Sequence, residues 1–386
     1  MKIKAMIIFL SIVILVNTLV NLYLFYRTKP LVGSASDTVM WIFRAAFWLV
    51  AFAYVIGRFT ERSGAMAVAE PFIKMGSWWL GAMLYLTLGF LIVDILRGVN
   101  ALFNITDILK FSWQSPKGQM ASIGVYAVAL VILVIGYFNA KYPVVNQLTI
   151  NVNKPIEGGK QRIVLLSDIH LGTMIANGRL ERMVRKVNEQ NPDVVLLAGD
   201  VFDEDLGPVI SNNMGDLLKN LKAKYGVYAV TGNHEFFGNV NAAQAYLEQH
   251  GITVLRDSIA ALPNGFTIVG RDDRQANHML PQPRKSVEQL VAAANQNTAL
   301  ILMEHQPYQL EEAVNNGIDL QVSGHTHHGQ MWPFGYVTSK IFEVSRGHKQ
   351  KGNTHIYVST GYGTWGPPIR TGNRPELVVI DMVNNL

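Results

Sequence analysis

Four long apolar runs, residues 5–26, 39–56, 78–96 and 121–138, crowd the front third of this 386-residue chain. Each is about as long as a helix must be to cross a bilayer, and in lipid only a helix or a closed barrel satisfies its own backbone. Residues 1–143 are therefore expected to form an all-α transmembrane region of four helices, making this a multi-pass protein of the cell membrane. The first run is broken only by Ser11, Asn17, Thr18 and Asn21. It exceeds the apolar segment of a cleaved signal peptide and no small-residue cleavage site follows, so it reads as a retained anchor.

Composition supports this division. Hydrophobic residues make up 49% of the chain and charged residues 16%, which is poor in charge for a wholly water-exposed protein. Lys and Arg outnumber Asp and Glu by 12 to 5 in residues 1–146, against 21 to 23 in residues 147–386. The positive excess thus belongs to the membrane flanks, and the nearly neutral remainder carries no basic stripe with interleaved aromatics, which argues against a nucleic-acid partner. With the N-terminus inside, the inner flanks hold Lys2, Lys4, Arg58, Arg62, Lys74, Lys141 and Lys154, and the outer loops Arg27, Lys29, Arg97, Lys110 and Lys117. Seven against five favours a cytoplasmic second domain. Two charges, Arg44 and Asp94, fall within the spans; snorkelling of Arg44 and a solvated pair of Asp94 with Arg97 are the plain readings, and neither is given a role. Residues 99–113 mix apolar and polar side chains, as expected either of a helix lying on the membrane surface or of an ordinary packed connection. The chain has no cysteine, which excludes disulfides and thiolate metal sites.

From Val144 onward the texture changes to short apolar runs alternating with helical patterns and glycine turns, the signature of an α/β domain over 144–386. Strands are expected at 162–167, 194–198, 227–231, 267–270, 300–303, 320–323, 356–359 and 377–381. Helices are expected at 178–190, 213–222, 242–249, 286–295 and 309–315. Five polar fragments follow such strands directly: Asp168-Ile-His170, Gly199-Asp200, Gly232-Asn233-His234-Glu235, His305 and Gly324-His325-Thr326-His327. Strand ends of an open α/β sheet lie along one edge, where ligands bind, so fragments far apart in sequence can converge there.

Singly, each fragment has a plain explanation. Asp-x-His also caps helices, Gly-Asp and Gly-Asn are common turn chemistry, and one histidine at a strand end is ordinary. Jointly they supply only oxygen and nitrogen ligands, a set suited to two divalent ions, Mn, Fe or Zn with Mn favoured, over copper(I) or an iron–sulfur cluster. Such a pair hydrolyses phosphate esters.

The order DxH, GD, GNHE, H, GHTH resembles the calcineurin-like metallophosphoesterase superfamily over residues 160–381. The closing stretch from Ser359 to Arg370, with Pro375-Glu376, resembles its bacterial membrane-anchored or exported branch. The resemblance implies two mixed β-sheets packed as a sandwich and flanked by helices. It implies further that Asp168, His170 and His327 hold one metal, Asn233, His305 and His325 the other, that Asp200 bridges both, and that His234 holds none. His328 stands where glycine is usual and Tyr308 where an acidic residue often follows His-Gln-Pro, departures that bear on substrate preference.

Next to Asn233 but free of metal, His234 is expected to protonate the leaving oxygen. Glu235 either orients it or caps the following turn. Arg370 and Arg374 are candidate phosphate clamps, with surface salt bridges as the plain alternative. Trp332, Phe334 and Tyr336, followed by Arg346, His348, Lys349 and Lys351, either meet lipid headgroups or pack their loop on the domain. The expected activity is a membrane-tethered phosphoesterase acting on a phosphodiester, pyrophosphate or monoester, of which a lipid or envelope metabolite is one candidate class. The competing reading is a membrane transporter or sensor with a regulatory metallophosphoesterase-like domain; the spans hold few polar groups and no evident inverted repeat, which counts against it.

Overall fold

Each apolar run lies inside a longer helix of the computed structural model, which describes residues 2–384. The helices are α1 (Lys2–Thr28), α2 (Asp37–Arg62), α3 (Met66–Phe103) and α4 (Pro116–Lys141), and all four are long and apolar enough to cross a membrane. Ser36 caps α2 by accepting from the Val39 N–H, and Asn104 ends α3 in the left-handed region at φ 50°. Small residues let α2 and α3 approach closely: a Cβ on Gly76 would lie 2.1 Å from the Tyr54 nitrogen, and one on Gly57 would lie 2.7 Å from Ile73. Asp94 is held by Arg27 at 2.6 Å, Tyr23 Oη at 2.6 Å and Trp113 Nε1 at 3.2 Å, whereas Arg97 stands at 3.4 Å. The pair expected with Arg97 is thus one part of a cluster centred on Asp94, in which Arg27 makes the shorter ion pair. Arg44 lies over the Trp41 ring. Residues 104–115 are turns and coil, so no surface helix forms there. Among the inner-flank charges, the side chains of Lys2 and Lys4 lie outside the described residues.

The chain divides into two compact units, one reaching to Gly136 and including Gly366–Pro368, the other comprising Tyr137–Trp365 and Ile369–Leu386. The second unit is built from twelve strands: β1 (Val144–Val152), β2 (Lys160–Leu166), β3 (Val194–Ala198), β4 (Val227–Val230), β5 (Thr253–Val254), β6 (Ser258–Ala261), β7 (Phe266–Gly270), β8 (Ala299–Met303), β9 (Leu320–Ser323), β10 (Gly347–Lys351), β11 (Thr354–Val358) and β12 (Glu376–Asn384). One mixed sheet runs β1-β12-β2-β3-β4-β5 and the other β10-β11-β9-β8-β7-β6. Strands β2, β3 and β4 are mutually parallel, as are β7, β8, β9 and β11.

Continuous apolar strands are what sheets buried on both faces require. Along β2, Ile163 and Leu165 join Leu196 of β3 and Ile268, Ile301 and Val322 of the other sheet in the core between the sheets. The alternate residues Val164 and Leu166 turn outward onto Leu180, Met183 and Val187 of α5 (Asn177–Glu189). On the far side Leu300 and Leu302 pack on Val287, Leu290 and Ala313. The result is a sandwich of two mixed sheets flanked by helices and preceded in the chain by four apolar helices.

Candidate metal centre

Because β2, β3 and β4 are parallel, their C-terminal ends share one edge, and β8 and β9 do the same in the second sheet. Asp168 and His170 follow β2, Asp200 follows β3, Asn233 and His234 open the short helix Asn233–Phe237 after β4, His305 follows β8, and His325 and His327 follow β9. All are buried except His325, which is intermediate.

Backbone conformation at this edge is unusual. Asp168, His170, Asp200, His325 and His327 have φ of 50°, 52°, 51°, 69° and 44°, where side chains other than glycine's are strained by about 1–3 kcal/mol each. Two motif glycines are there for space. A Cβ on Gly232 would meet Asp200 Oδ1 at 2.1 Å, and one on Gly324 would meet Asp168 Oδ2 at 2.2 Å.

Among the described residues, the ligand atoms of Asp168, His170 and His327 lie together, as do those of Asp200, His305 and His325. In the first set His170 Nε2 is 3.1 Å from His327 Nε2, which is 3.3 Å from Asp168 Oδ1. In the second, His305 Nδ1 donates to the Ala198 carbonyl at 2.8 Å, which turns Nε2 towards Asp200 Oδ2 at 3.1 Å. That Nε2 has no well-aligned hydrogen bond, and buried Asn233 Oδ1 has no hydrogen-bond partner among the described residues. A neutral imidazole with its Nδ1 proton fixed on a carbonyl presents a lone pair, and here the lone pair faces a carboxylate. Two buried acceptors face to face fit a cation between them.

The electrostatics agree. Burial, reinforced by neighbouring His234, holds His170 down to about 3, and burial with His305 nearby holds His325 at about 4. Burial and the Arg370 guanidinium keep His327 far below its ordinary value. These three rings are neutral; His170 and His325 are ready to ligate, whereas His327, whose Nδ1 accepts from Arg370, keeps its proton on the Nε2 that faces Asp168 and would ligate there only on giving that proton up. For His305 burial is outweighed by the Asp200 carboxylate, so without a cation a proton occupies the site. Against its own burial, Asp200 is driven well below the usual carboxylate range by His305 and His234.

A third group was not foreseen. Asp203 Oδ1 lies 3.4 Å from His234 Nδ1 and 3.8 Å from His170 Nδ1, and Glu204 Oε1 lies 3.9 Å from His234 Nδ1. Burial would lower His234, but Asp200, Asp203 and Glu204 together raise it to about 9. Its signal in the sequence was a second acid three residues past Asp200. Glu235 does not orient His234. Its carboxylate accepts from the Gly232, Asp200 and Phe202 N–H groups, at 2.7, 3.1 and 3.0 Å, and so clamps the β3 and β4 loops together.

The arginines also differ from expectation. Arg370 is fully buried, with Nη1 donating to the Thr360 carbonyl and Asn373, and Nη2 donating to the Gly363 carbonyl and to His327 Nδ1 at 3.0 Å. Arg374 donates to the Tyr142 carbonyl. The Arg370 guanidinium is thus enclosed among protein acceptors and cannot serve as the expected phosphate clamp, whereas Arg374 is exposed and commits one N–H group to the Tyr142 carbonyl. His328 turns its ring onto Ser345 Oγ at 3.0 Å.

The calcineurin-like phosphoesterase profile matches residues 161–329. An uncharacterized metallophosphoesterase of Aquifex aeolicus is 32% identical over 240 residues, covering 61% of this chain and 90% of its own. The chain belongs to the calcineurin-like phosphoesterase family. A Helicobacter pylori metallophosphoesterase, also uncharacterized, is 32% identical over 54% of this chain and 56% of its own. A Danio rerio protein described as a transmembrane protein with metallophosphoesterase domain is 31% identical over 66% and 60%. This chain spans little more than half the length of those last two relatives. For a calcineurin-like phosphoesterase, His/Asp clusters able to hold metal at the C-terminal strand edge are the expected arrangement, and four apolar helices ahead of them point to a membrane protein.

Proposed function

We propose that this chain is a membrane-tethered phosphoesterase, its catalytic unit on the cytoplasmic side, that hydrolyses a phosphodiester or pyrophosphate bond with two divalent ions, Mn favoured. The observation that carries the reading is the buried Nε2 of His305 facing Asp200 with its other nitrogen tied to a carbonyl. Asp168, His170 and His327 would hold one ion and Asn233, His305 and His325 the other. Asp200 would serve both, since its charge acts on His170 and His327 of the first set as well as on His305. Bound ions of this kind lower the pKa of a water and neutralise charge on the phosphoryl oxygens.

The protein's own groups do the rest. His234, held protonated by the acids around it, donates its proton to the departing oxygen, and Asp203 keeps its ring oriented. Glu235 fixes the spacing of the loops that carry Asp200 and Asn233. Arg370 holds the His327 ring and discourages its protonation. Strained backbone at five site residues persists only because the surrounding sheets determine it, which preorganises the ligand set.

Metal analysis together with hydrolysis of a chromogenic phosphodiester tests the assignment. His234→Ala is expected to keep its metal and lose turnover by about a hundredfold or more. Asp200→Ala is expected to lose both. Full turnover in His234→Ala would remove the proton-donor role, and full metal content in Asp200→Ala would remove the dinuclear reading.

A further inference from the structure

Between His327 and β10 the chain makes an excursion whose ends are buried at Gln330, Phe342 and Val344 but whose middle, Phe334–Ile341, buries nothing. Its short helix Gly335–Ile341 buries none of its residues, and Phe334, Tyr336, Val337 and Ile341 are 42%, 69%, 51% and 57% exposed. Lys340 and Arg346 are exposed beside them. So much apolar surface within eight residues marks a contact with something other than water.

Hydrogen bonds locate the excursion on the domain. Gln330, at its base, donates from its backbone to the His327 carbonyl at 2.9 Å, and its own carbonyl accepts from Thr371 and Gly372 at 3.2 Å each. The Trp332 N–H donates to Thr371 Oγ1 at 3.1 Å. The same segment, Arg370 to Pro375, receives the chain as it leaves the last apolar helix. Asn139 donates to the Arg370 carbonyl, Arg374 to the Tyr142 carbonyl, and the Val144 N–H to the Pro375 carbonyl at 2.9 Å. The excursion and the point where the chain arrives from α4 therefore flank one segment at one edge of the domain. Only Tyr142 and Pro143 separate α4 from β1, a reach of about 10 Å. Trp365 belongs to this edge as well, since Gln330 bonds both its N–H and its carbonyl, and its ring, 54% exposed, stands 6.4 Å from that of His234.

We propose that the Phe334–Ile341 excursion seats in the interface of the bilayer that anchors the chain, presenting the metal centre to phosphoesters carried by amphiphiles in that bilayer. Aromatic and aliphatic side chains flanked by cations are the composition that binds a lipid headgroup boundary. The choice of lipid as occupant follows from the short tether at the same edge, and it rests on the membrane-tethered reading above.

The absence of cysteine makes the test direct. Nitroxide is placed through Tyr336→Cys, Ile341→Cys and, as a control at the β5 side of the first sheet, Gln249→Cys, in full-length protein in nanodiscs of phosphatidylethanolamine and phosphatidylglycerol. At 336 and 341 relaxation by oxygen should exceed relaxation by a water-soluble nickel complex, and at 249 the order should reverse. Nickel access at 336 equal to that at 249 overturns the proposal. Exclusion of both agents at 336 also overturns it, because a protein or a second copy would then be the occupant. Separately, the Phe334→Glu, Tyr336→Glu, Ile341→Glu triple variant should hydrolyse a water-soluble chromogenic diester within twofold of the parent. It should lose tenfold or more on an acyl-chain diester dissolved in the nanodisc. Equal rates on both substrates overturn the presenting role. Absence of turnover on either substrate by the parent, with label depths as expected, sinks the catalytic reading and leaves the seating in place.

Discussion

At the residue scale the site is governed by which buried groups carry protons. His170, His325 and His327 are neutral, while His305 takes a proton to face Asp200. Metal uptake at neutral pH should therefore release at least one proton, that of His305, and calorimetry in buffers of different ionisation enthalpy reads it directly. A buffer-independent heat would contradict this. His234 donates only while protonated, so turnover must fall as pH rises through its pKa. Asp203 helps to raise that pKa, hence Asp203→Asn should move the alkaline limb of kcat to lower pH and lower turnover about tenfold above neutrality. An unmoved limb with lower kcat would mean that Asp203 only packs there. Asp168, His170, Asp200, His305, His325 and His327 were legible as a set because each sits beside a strand end in a recognisable fragment. Asp203 was not, because its one mark, an acid three residues past Asp200, is shared with Glu204 and Asp205 in a run of loop acids. Arg370 was misjudged for a related reason, since sequence carries no sign that a cation will be buried whole beneath His327.

At the scale of elements, strands buried on both faces were the easiest to read. The expected 194–198 coincides with β3, and 162–167 and 320–323 match β2 and β9 within two residues. Edge strands carry no such signal. β10, Gly-His-Lys-Gln-Lys, is polar and mostly exposed, and among the described residues β1 pairs only with β12, whose residues lie more than 200 positions away. Expected helices at 213–222 and 286–295 shrink to Met214–Leu218 and Val287–Val291, because packing on the sheet needs only the turns bearing Met214, Leu218, Val287, Leu290 and Val291. The turn after β9 is the most exacting of all. Gly324→Ala would drive a Cβ into Asp168 Oδ2 at 2.2 Å and Ser167 Oγ at 2.6 Å. Overpacking of this kind costs about 1–3 kcal/mol. The expected outcome is a lowered melting temperature and loss of the ion assigned to Asp168, with the Asp200, His305, His325 set still loaded. Parental metal content would show that the loop can yield.

At the scale of the whole molecule, the division into an apolar front and an α/β back is written in composition. Which edge of the back domain meets the chain from the front is not, because it depends on β1 lying parallel to β12 in one register, Val144 opposite Glu376. That pairing brings the chain's arrival from α4 to the segment that also braces the exposed excursion and His327. Tethering and presentation are then separable by lengthening the tether alone. A flexible Gly/Ser insertion of about 20 residues between Tyr142 and Pro143 has a root-mean-square span of roughly 25 Å, enough to let the domain turn freely while remaining attached. Turnover of a soluble diester should stay within about twofold, since no site residue moves. Turnover of the acyl-chain diester in nanodiscs should fall several-fold, because orientation, not local concentration, has been lost. Equal retention of both activities would mean that the excursion finds the bilayer unaided, and that the two-residue connection serves only as an anchor.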